Sequence, residues 1–544
     1  MSAPAPGTLS SESGDEKNEE SAHDEPRFAL SKEHIKAATQ REQEMSIATA
    51  FRLYPKAIIW SILLSTALIM EGYDIILISS FFAFDPWVTQ FGKLQSDGKH
   101  SLSAAWQSGL SNAATVGELI GLVLNGFAAE RFGYRKTMIG ALGLITAFIF
   151  IPFFATNVKV LLAGEVLMGI PLGVFQALPV SYASEVCPVA LRGYLATYIN
   201  VCWVMGELLA SGVLRALLRR TDQWSYRIPY ALQWMWPVPL IVGIAFAPES
   251  PWWQIRHGHT NEAKASLRSL TARNVKDAVD IDATVEVMMH TNRIEVEASK
   301  GATYADCFRA HNLRRTEIAC LTSICGCISG FVLMSFSAYF FEQAGMDPSN
   351  AFDITMAQYA IGIVGILLAW LLMIRAGRRH LYVSGLFLQF WVLLGVGITG
   401  TVGPDNHAAP WGSAALLILF SLIYQSTVGP TLYAIISEIS SVRLRAKTVS
   451  LSWNVYNIAK IVCYVLVPYM MNPTAWNWKA KSGFFWAGVC LLCFIWSFFR
   501  LPETKGRTYA EIDILFEQRV SARKFATTSV DLFSREPHAE LLAS

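Results

Sequence analysis

Two acidic residues stand in the middle of an apolar stretch that runs from Ala57 to Phe84. Glu71 and Asp74 are three positions apart and would share one face of a helix. An ionised carboxylate at the centre of a bilayer costs about 2.5–3.5 kcal/mol on insertion scales, so that face must look into protein or water. Either the two acids are structural groups satisfied by neighbouring helices, or they form a proton or polar-solute site inside a membrane bundle.

A third acid, Glu118, lies near the middle of the second apolar stretch. Burial favours the neutral form of a carboxyl group. Three acids at this depth are more than a structural role usually needs, so at least one of them is expected to bind and release a proton. We expect this of Asp74 first and Glu118 second, with Glu71 one helical turn before Asp74.

The composition is that of a membrane protein. The 544 residues are 53% hydrophobic and 16% charged, whereas soluble domains carry about 25% charged residues. A net charge of +2 without a basic cluster gives no reason to expect nucleic acid as a partner. The sequence contains no phosphate-binding loop and no cysteine or histidine cluster with metal-ligand spacing, so we expect no enzyme, no cofactor and no metal.

The acids must be positioned by helices long enough to cross a bilayer, which needs about 20 apolar residues each. The apolar pattern predicts twelve such segments, at about 57–84, 104–128, 137–155, 159–181, 194–218, 229–247, 316–341, 352–374, 381–401, 412–437, 448–470 and 482–499. A long polar segment separates the first six from the last six. We therefore expect a disordered cytoplasmic tail over 1–50, a six-helix half over 51–251, a cytoplasmic linker with short helices over 252–314, a second half over 315–501, and a cytoplasmic tail over 502–544.

Basic residues in the short loops predict the orientation, because cytoplasmic loops carry an excess of lysine and arginine. With both termini inside, the cytoplasmic loops hold Arg131, Arg135, Lys136, Arg375, Arg378, Arg379, Arg443, Arg445 and Lys447. One loop disagrees, since it would place Arg215, Arg219, Arg220 and Arg227 outside.

The chain also repeats itself. A glutamate precedes an arginine by seven positions twice, as Glu185 with Arg192 and Glu438 with Arg445. A Pro-Glu pair then closes each half, and Glu249 and Glu503 follow the first glutamates by 64 and 65 positions. Two halves related by duplication, with the solute bound between them at mid-membrane, are a known transporter plan.

These motifs resemble those of a known family. The run Gly126-x-x-x-Glu130-Arg131-Phe132-Gly133-Tyr134-Arg135-Lys136 is similar to the loop signature of major facilitator transporters, and the runs 248–253 and 502–508 resemble the closing motifs of their sugar-porter branch. Within that branch, the runs 71–74, 180–185, 231–234 and 481–486 are similar to fungal α-glucoside (maltose) permeases. The likeness covers about residues 45–530.

The resemblance implies an all-α membrane protein with the major facilitator fold, twelve transmembrane helices in two six-helix halves, that imports an α-glucoside sugar with protons by alternating access. It implies a sugar and a proton as partners, a monomer, and a place in the plasma membrane. Carriers or exporters of another glycoside or metabolite, facilitators, and non-transporting sugar sensors remain alternatives, although the 26 residues after Gln518 are short for a sensor.

The resemblance also implies roles for particular residues. Conformational latches between the halves would use Glu130, Arg131, Arg135, Glu185, Arg192, Glu249, Glu438, Arg445 and Glu503, for which the alternative is ordinary juxtamembrane charge. Positions that match sugar-facing ones are Asn200, Glu207, Gln233, Tyr433, Tyr456 and Asn457, and Gln176, Gln425 and Asn454 are further polar groups at similar depth. For each lone amide the alternative is an interhelical hydrogen bond worth about 0.6 kcal/mol.

The chain departs from the family pattern at several points. Gly326 and Cys327 stand before Ser329-Gly330 where hexose porters have a glutamine pair, and Glu165 stands where many of them have an arginine. Trp453 occupies the place of an arginine of the α-glucoside permeases. Lys460 lies two turns beyond Trp453 on nearly the same face, and we expect it to supply the missing cation opposite the buried acids.

Overall fold

A computed structural model describes residues 45, 47–94, 98, 100–272, 280–299, 303–402, 408–441, 444–505, 507 and 509–528. Most of the tail expected over 1–50 lies outside these residues. Helix α1 (Ile47–Leu53) nevertheless begins within that segment, and its Ala50 is fully buried in the core of the first half.

In the described part of the first half, helices and loops are joined by one two-stranded hairpin, which consists of β1 (Lys93–Leu94) and β2 (His100–Ser101). Its further helices are α2 (Pro55–Ser65), α3 (Leu68–Phe81), α4 (Asp85–Phe91), α5 (Ala104–Phe132), α6 (Tyr134–Phe148), α7 (Phe150–Phe153), α8 (Val158–Val186), α9 (Val189–Leu217), α10 (Trp224–Leu232) and α11 (Pro237–Ala245).

Short helices fill the segment between the halves, as predicted for a linker. They are α12 (Pro251–Arg256), α13 (Thr260–Leu270), α14 (Ile281–Ser299) and a 3₁₀ turn (Tyr304–Phe308). The N–H of Ala272 donates to the carbonyl of Leu53 at 2.9 Å, which ties this linker to α1.

The second half consists of α15 (Ala310–Ile328), α16 (Phe331–Ser335), α17 (Ser337–Gln343), α18 (Pro348–Arg375), α19 (Arg378–Thr399), α20 (Ala408–Ser426), α21 (Val428–Ile439), α22 (Arg445–Met471) and α23 (Ser482–Arg500). Helix α24 (Tyr509–Glu517) follows and packs against α15 and α21.

Eleven helical segments of the described chain are long and apolar enough to cross a membrane. They are Pro55–Phe81, Ala104–Phe132, Tyr134–Phe153, Val158–Val186, Tyr198–Leu217, Trp224–Ala245, Pro348–Arg375, Arg378–Thr399, Ala408–Ile439, Lys447–Met471 and Lys479–Arg500. Each one overlaps a predicted segment. The remaining predicted segment, 316–341, is divided among α15, α16 and α17.

The division of this seventh segment has a local cause. Gly330 separates α15 from α16 and has a φ of 104°, a conformation that residues with a side chain rarely adopt. A Cβ atom there would lie 2.8 Å from a methyl group of Leu393. The break frees backbone carbonyls at the level of the buried acids, and the carbonyl of Ser335 accepts a hydrogen bond from the hydroxyl of Ser79 in the other half.

Helix α3, which carries Glu71 and Asp74, is held close to α9 by two glycines. A Cβ atom on Gly72 would lie 2.1 Å from the carbonyl oxygen of Trp203, and one on Gly206 would lie 2.1 Å from that of Ile69. Small residues allow membrane helices to approach in this way. The close approach fixes the depth and rotation of the two acids.

The halves meet through α5 against α22 and α9 against α18. We call the side that bears α12 to α14 the linker side and the opposite side the far side. On the far side, Arg215 of the first half binds Asp353 of the second through two hydrogen bonds of 2.7 and 3.0 Å. Asn472 also donates to the carbonyl of Leu102 across the halves at 2.8 Å.

Candidate functional site

Four acidic side chains lie inside the bundle without exposure to solvent. They are Glu71 and Asp74 on α3, Glu118 on α5 and Glu165 on α8, each 0% exposed. The first three are the acids singled out in the sequence, and all three lie inside the first half of the bundle.

Each of the three predicted acids has a different partner. Gln176 on α8 donates to Glu71 Oε1 at 3.1 Å, and Gln233 donates to Asp74 Oδ1 at 3.0 Å. Lys460 Nζ donates to Glu118 Oε2 at 3.2 Å. Lys460 thus lies opposite a buried acid, and the ion pair joins the two halves.

The missing backbone N–H group of Pro237 determines where the helix that carries Gln233 is interrupted. An α-helix would pair the carbonyl of Gln233 with the N–H of residue 237, but Pro237 has no N–H. The helix is therefore interrupted by a 3₁₀ turn over Gln233–Met235 between α10 and α11. The Gln233 side chain is fully buried and its amide is directed to Asp74.

Glu165 is a site residue that the sequence analysis did not select. Its carboxyl group lies within hydrogen-bonding reach of that of Asp74, and the Tyr230 hydroxyl donates to Glu165 Oε1 at 3.4 Å. The signal was present, since Glu165 stands within an apolar segment as Glu118 does. Which acids would meet depends on how α3 packs beside α8.

Five of the predicted sugar-facing residues line one cavity between the halves. We call it the sugar cavity; the space between its lining atoms is about 430 Å³, part of which is open solvent. Its polar lining comes from Asn200, Glu207, Gln425, Tyr433 and Tyr456. Aromatic rings of Trp203, Phe331, Tyr424 and Trp453 complete the wall.

A second, smaller cavity adjoins the sugar cavity and leads to the acids. Glu207 and Tyr456 line both cavities, and Lys460 lines the second. A third cavity beside Tyr464 reaches Asp74. The three cavities thus share lining residues, and they are lined by protonatable groups and by residues predicted to face the sugar.

The other four predicted polar residues are placed differently. Gln176 and Gln233 donate to the acids, so their amides are part of the carboxyl cluster. Asn457 is 1% exposed, has no hydrogen-bond partner among the described residues, and is absent from the linings of the three cavities described above. Asn454 is exposed and lies on the side of α22 that carries the exposed Ile458 and Val465, so the structure does not bring it to the sugar cavity.

The repeated charged motifs form matching clusters on the linker side. In the first half Glu185 binds Arg256 at 3.0 Å and accepts a hydrogen bond from the Ser250 hydroxyl. In the second half Glu438 binds Arg378 at 3.1 Å and accepts from the Thr504 hydroxyl.

The Pro-Glu acids of the two halves also play matching parts. Glu249 accepts hydrogen bonds from the backbone N–H groups of Tyr134 and Arg135 at 3.0 and 3.2 Å. Glu503 accepts a hydrogen bond from the backbone N–H group of Lys505 at 3.1 Å, and its carboxylate lies 3.1 Å from the His380 ring. Burial raises the pKa of the Glu249 carboxyl group above its usual value, against the effect of these N–H donors.

The remaining predicted latch residues are more loosely placed. Glu130 lies 3.9 Å from Arg256, and the Arg131 guanidinium group lies over the Phe132 ring. The Arg445 side chain is partly buried. The Arg192 side chain lies outside the described part of the chain. The contacts described for Glu185 and Glu438 lie within their own half, the linker and the C-terminal tail.

Comparison with known proteins places this site in a family. The family model "Sugar (and other) transporter" matches residues 60–516. The general α-glucoside permease of Saccharomyces cerevisiae is 41% identical over 502 residues, which cover 92% of this chain and 81% of that protein. A maltose permease of the same organism is 41% identical over 507 residues, with 92% and 82% covered.

Solved structures agree on the fold. The xylose transporter XylE from E. coli, in an inward open conformation, superposes with a TM-score of 0.68 at 20% identity and covers 84% of this chain and 99% of that one. This confirms the predicted fold, an all-α membrane protein of the major facilitator type with twelve transmembrane helices in two six-helix halves. The chain belongs to the family of sugar (and other) transporters.

Proposed function

We propose that this protein imports an α-glucoside disaccharide of the maltose type together with protons, by alternating access of a site between its two halves. The names of its relatives, an α-glucoside permease and maltose permeases, support the substrate class. The lining of the sugar cavity with amides, hydroxyls and aromatic rings also supports it.

The observation that carries the proton coupling is the pair of Lys460 and Glu118. It joins α22 of the second half to α5 of the first at 3.2 Å, with side chains that are 5% and 0% exposed. Separating a buried ion pair leaves an uncompensated charge, which is strongly unfavourable. Protonation of Glu118 ends its attraction to the Lys460 ammonium group, so a proton entering the cluster loosens this link between the halves.

The position of Glu207 connects the sugar to this pair. Glu207 lines both the sugar cavity and the cavity that contains Lys460. A sugar hydroxyl bound to Glu207 changes the environment of the Lys460 ammonium group, and through it that of Glu118. The coupling thus follows from shared lining residues.

Uptake of labelled sugars tests the proposal. Cells that lack other carriers and express the protein are given labelled maltose, sucrose, trehalose and glucose, with and without a protonophore. We expect accumulation of at least one α-glucoside above its external concentration, and loss of that accumulation with the protonophore. Uptake that only equilibrates would indicate a facilitator, and binding without uptake would indicate a sensor.

Replacing Lys460 tests the cation directly. In Lys460→Gln, Glu118 loses its charged partner, so we expect the pH dependence of uptake to be flattened or displaced and accumulation to fall at least about tenfold, since losing one partner of a buried pair costs several kcal/mol. Lys479→Gln, which alters an exposed lysine, should leave both unchanged. Transport by Lys460→Gln with undiminished pH dependence would rule the role out.

The remaining assignments follow from the same proposal. The protein acts as a monomer in the plasma membrane, with both termini and the linker side in the cytoplasm, and catalyses no covalent reaction. The domain limits are those given by the sequence, 51–251 and 315–501 for the two halves. On the linker side, Glu130, Arg131, Arg135, Glu185, Arg192, Glu249, Glu438, Arg445 and Glu503 exchange partners between the halves when that side closes.

A further inference from the structure

The carboxyl groups of Asp74 and Glu165 lie close together inside the first half. Both side chains are 0% exposed, and the two groups lie within hydrogen-bonding reach of each other. Asp74 Oδ1 accepts from the Gln233 amide at 3.0 Å, and Glu165 Oε1 accepts from the Tyr230 hydroxyl at 3.4 Å. Asp74 Oδ2 and Glu165 Oε2 receive no hydrogen bond from any N–H or O–H group of the described residues.

Among the described residues, the groups that act on this pair include no cation. The titratable groups that act on it are Glu71 and Tyr73 from α3, Glu118 from α5 and Tyr230 from α10. The Tyr73 hydroxyl donates elsewhere, to the carbonyl of Pro229 at 2.9 Å. The ammonium group of Lys460 is bonded to Glu118.

Two ionised carboxylates at this distance in a buried site repel each other strongly, and one of them takes up a proton. A single proton between the two unpartnered oxygens would satisfy both, as a donor for one carboxyl group and a hydrogen bond for the other. The remaining two oxygens already have donors.

We propose that Asp74 and Glu165 hold one proton between them as an acid–carboxylate pair, and that Glu165 is a positioning residue for the proton of Asp74. Uptake of the proton forms one O–H bond and changes the charge of the pair from −2 to −1, and its release reverses this. Gln233 and Tyr230 keep the two groups in place. The role of the pair in transport depends on the proton coupling proposed above, whereas the sharing of the proton does not.

Infrared spectroscopy of the purified full-length protein in detergent tests the sharing, because protonated and ionised carboxyl groups absorb separately. In the unmodified protein we expect a protonated-carboxyl band that persists above neutral pH. In Glu165→Gln the amide N–H donates to Asp74 and stabilises its ionised form. The band of Asp74 is identified by its loss in Asp74→Asn. In Glu165→Gln this band should disappear at a pH at least about one unit lower than in the unmodified protein.

Two variants serve as controls. Glu165→Asp keeps a carboxyl group in the pair and should restore part of the displacement. Tyr230→Phe removes a hydrogen bond from Glu165 but keeps both carboxyl groups, and should move the band much less than Glu165→Gln does. If Glu165→Gln does not fold, as judged by thermal unfolding, Asp74→Asn tests the pair from its other side through the Glu165 band.

The outcomes separate the two proposals. The proposed pair would be overturned if the Asp74 band disappeared at the same pH in Glu165→Gln as in the unmodified protein. It would also be overturned if the unmodified protein had no protonated-carboxyl band near neutral pH that changes in Asp74→Asn or in Glu165→Gln. If the band shifts in Glu165→Gln but a protonophore does not change sugar uptake by the unmodified protein, the shared proton is supported and the proposed proton coupling is refuted. In a coupled transporter, the pH profile of uptake should move in the same direction as the band.

Discussion

Four carboxyl groups and one ammonium group occupy the middle of the bundle, each at most 4% exposed. A charged side chain inside a membrane bundle is energetically costly unless it is paired with another polar group. The pairs are specific, with Lys460 on Glu118 and glutamine amides on Glu71 and Asp74. Each of these groups therefore has a partner whose removal has a separate, measurable effect.

The sugar-binding role of the amides is tested by two asparagines. Asn200 lines the sugar cavity, whereas Asn454 is exposed on the outer side of α22. A hydrogen bond contributes about 0.5–1.5 kcal/mol, so Asn200→Ala should raise the KM for the transported sugar about 2- to 10-fold. Asn454→Ala should leave KM unchanged. Equal effects of the two substitutions on initial uptake rates would contradict the assignment of the cavity.

At the scale of elements, the position of the acids depends on the close approach of α3 to α9. Gly72→Ala would place a methyl group against the Trp203 carbonyl, a backbone atom that cannot yield without moving the helix. Overpacking of this kind costs about 1–3 kcal/mol. We expect a lower unfolding temperature in detergent and weaker uptake.

The matched control is Gly140→Ala on α6, where a Cβ atom would have no neighbour within 4 Å. Alanine is the better helix former there, so this variant should be at least as stable as the unmodified protein. If Gly72→Ala were as stable as Gly140→Ala, the helix contact would not be what holds the acids in place.

The sequence predicted the helices well because long apolar runs are a strong signal. It did not predict their interruptions. The run 57–84 divides into α2 and α3 near Thr66, and 316–341 breaks at Gly330. An apolar run does not mark such breaks, which depend on what packs opposite, here Leu393 against Gly330.

The site was predicted in part. The acids Glu71, Asp74 and Glu118 and five cavity residues follow from polar side chains at mid-helix depth, which is visible in a sequence. The partners of Gln176 and Gln233, the meeting of Glu165 with Asp74 and the outward position of Asn454 depend on helix rotation and on the contacts between helices. The spacing of residues within one apolar segment does not indicate how that helix is rotated or which helix it contacts.

At the scale of the whole molecule, the two halves are joined on the far side by Arg215 and Asp353, while Glu185 and Glu438 on the linker side bind within their own half and the linker. A pair between the halves on the far side is what the proposed alternating access requires of a state closed on that side. The pair of Arg215 and Asp353 has side chains that are 31% and 51% exposed. Exposed pairs contribute little to stability, but a small contribution is enough to bias the populations of two states.

Breaking this pair should favour opening of the far side. In Asp353→Asn we expect a larger population of long distances between spin labels at Arg219 and Asn350, because a link between the halves on the far side is lost. Exchanging the charges, Arg215→Asp with Asp353→Arg, should restore the original distribution. Arg220→Gln breaks an exposed pair with Asp222 inside one half and should have no effect; an equal change there would contradict the role of the pair between the halves.

The most direct measurement of the whole account is accumulation of labelled sugar by cells that express Asp74→Asn together with Glu118→Gln. The account predicts that sugar still enters but only reaches its external concentration, with no response to a protonophore. The control, Asp222→Asn with Glu262→Gln, neutralises two exposed acids and should accumulate sugar normally. Undiminished accumulation against a gradient by the buried double variant would contradict the claim that these acids carry the proton.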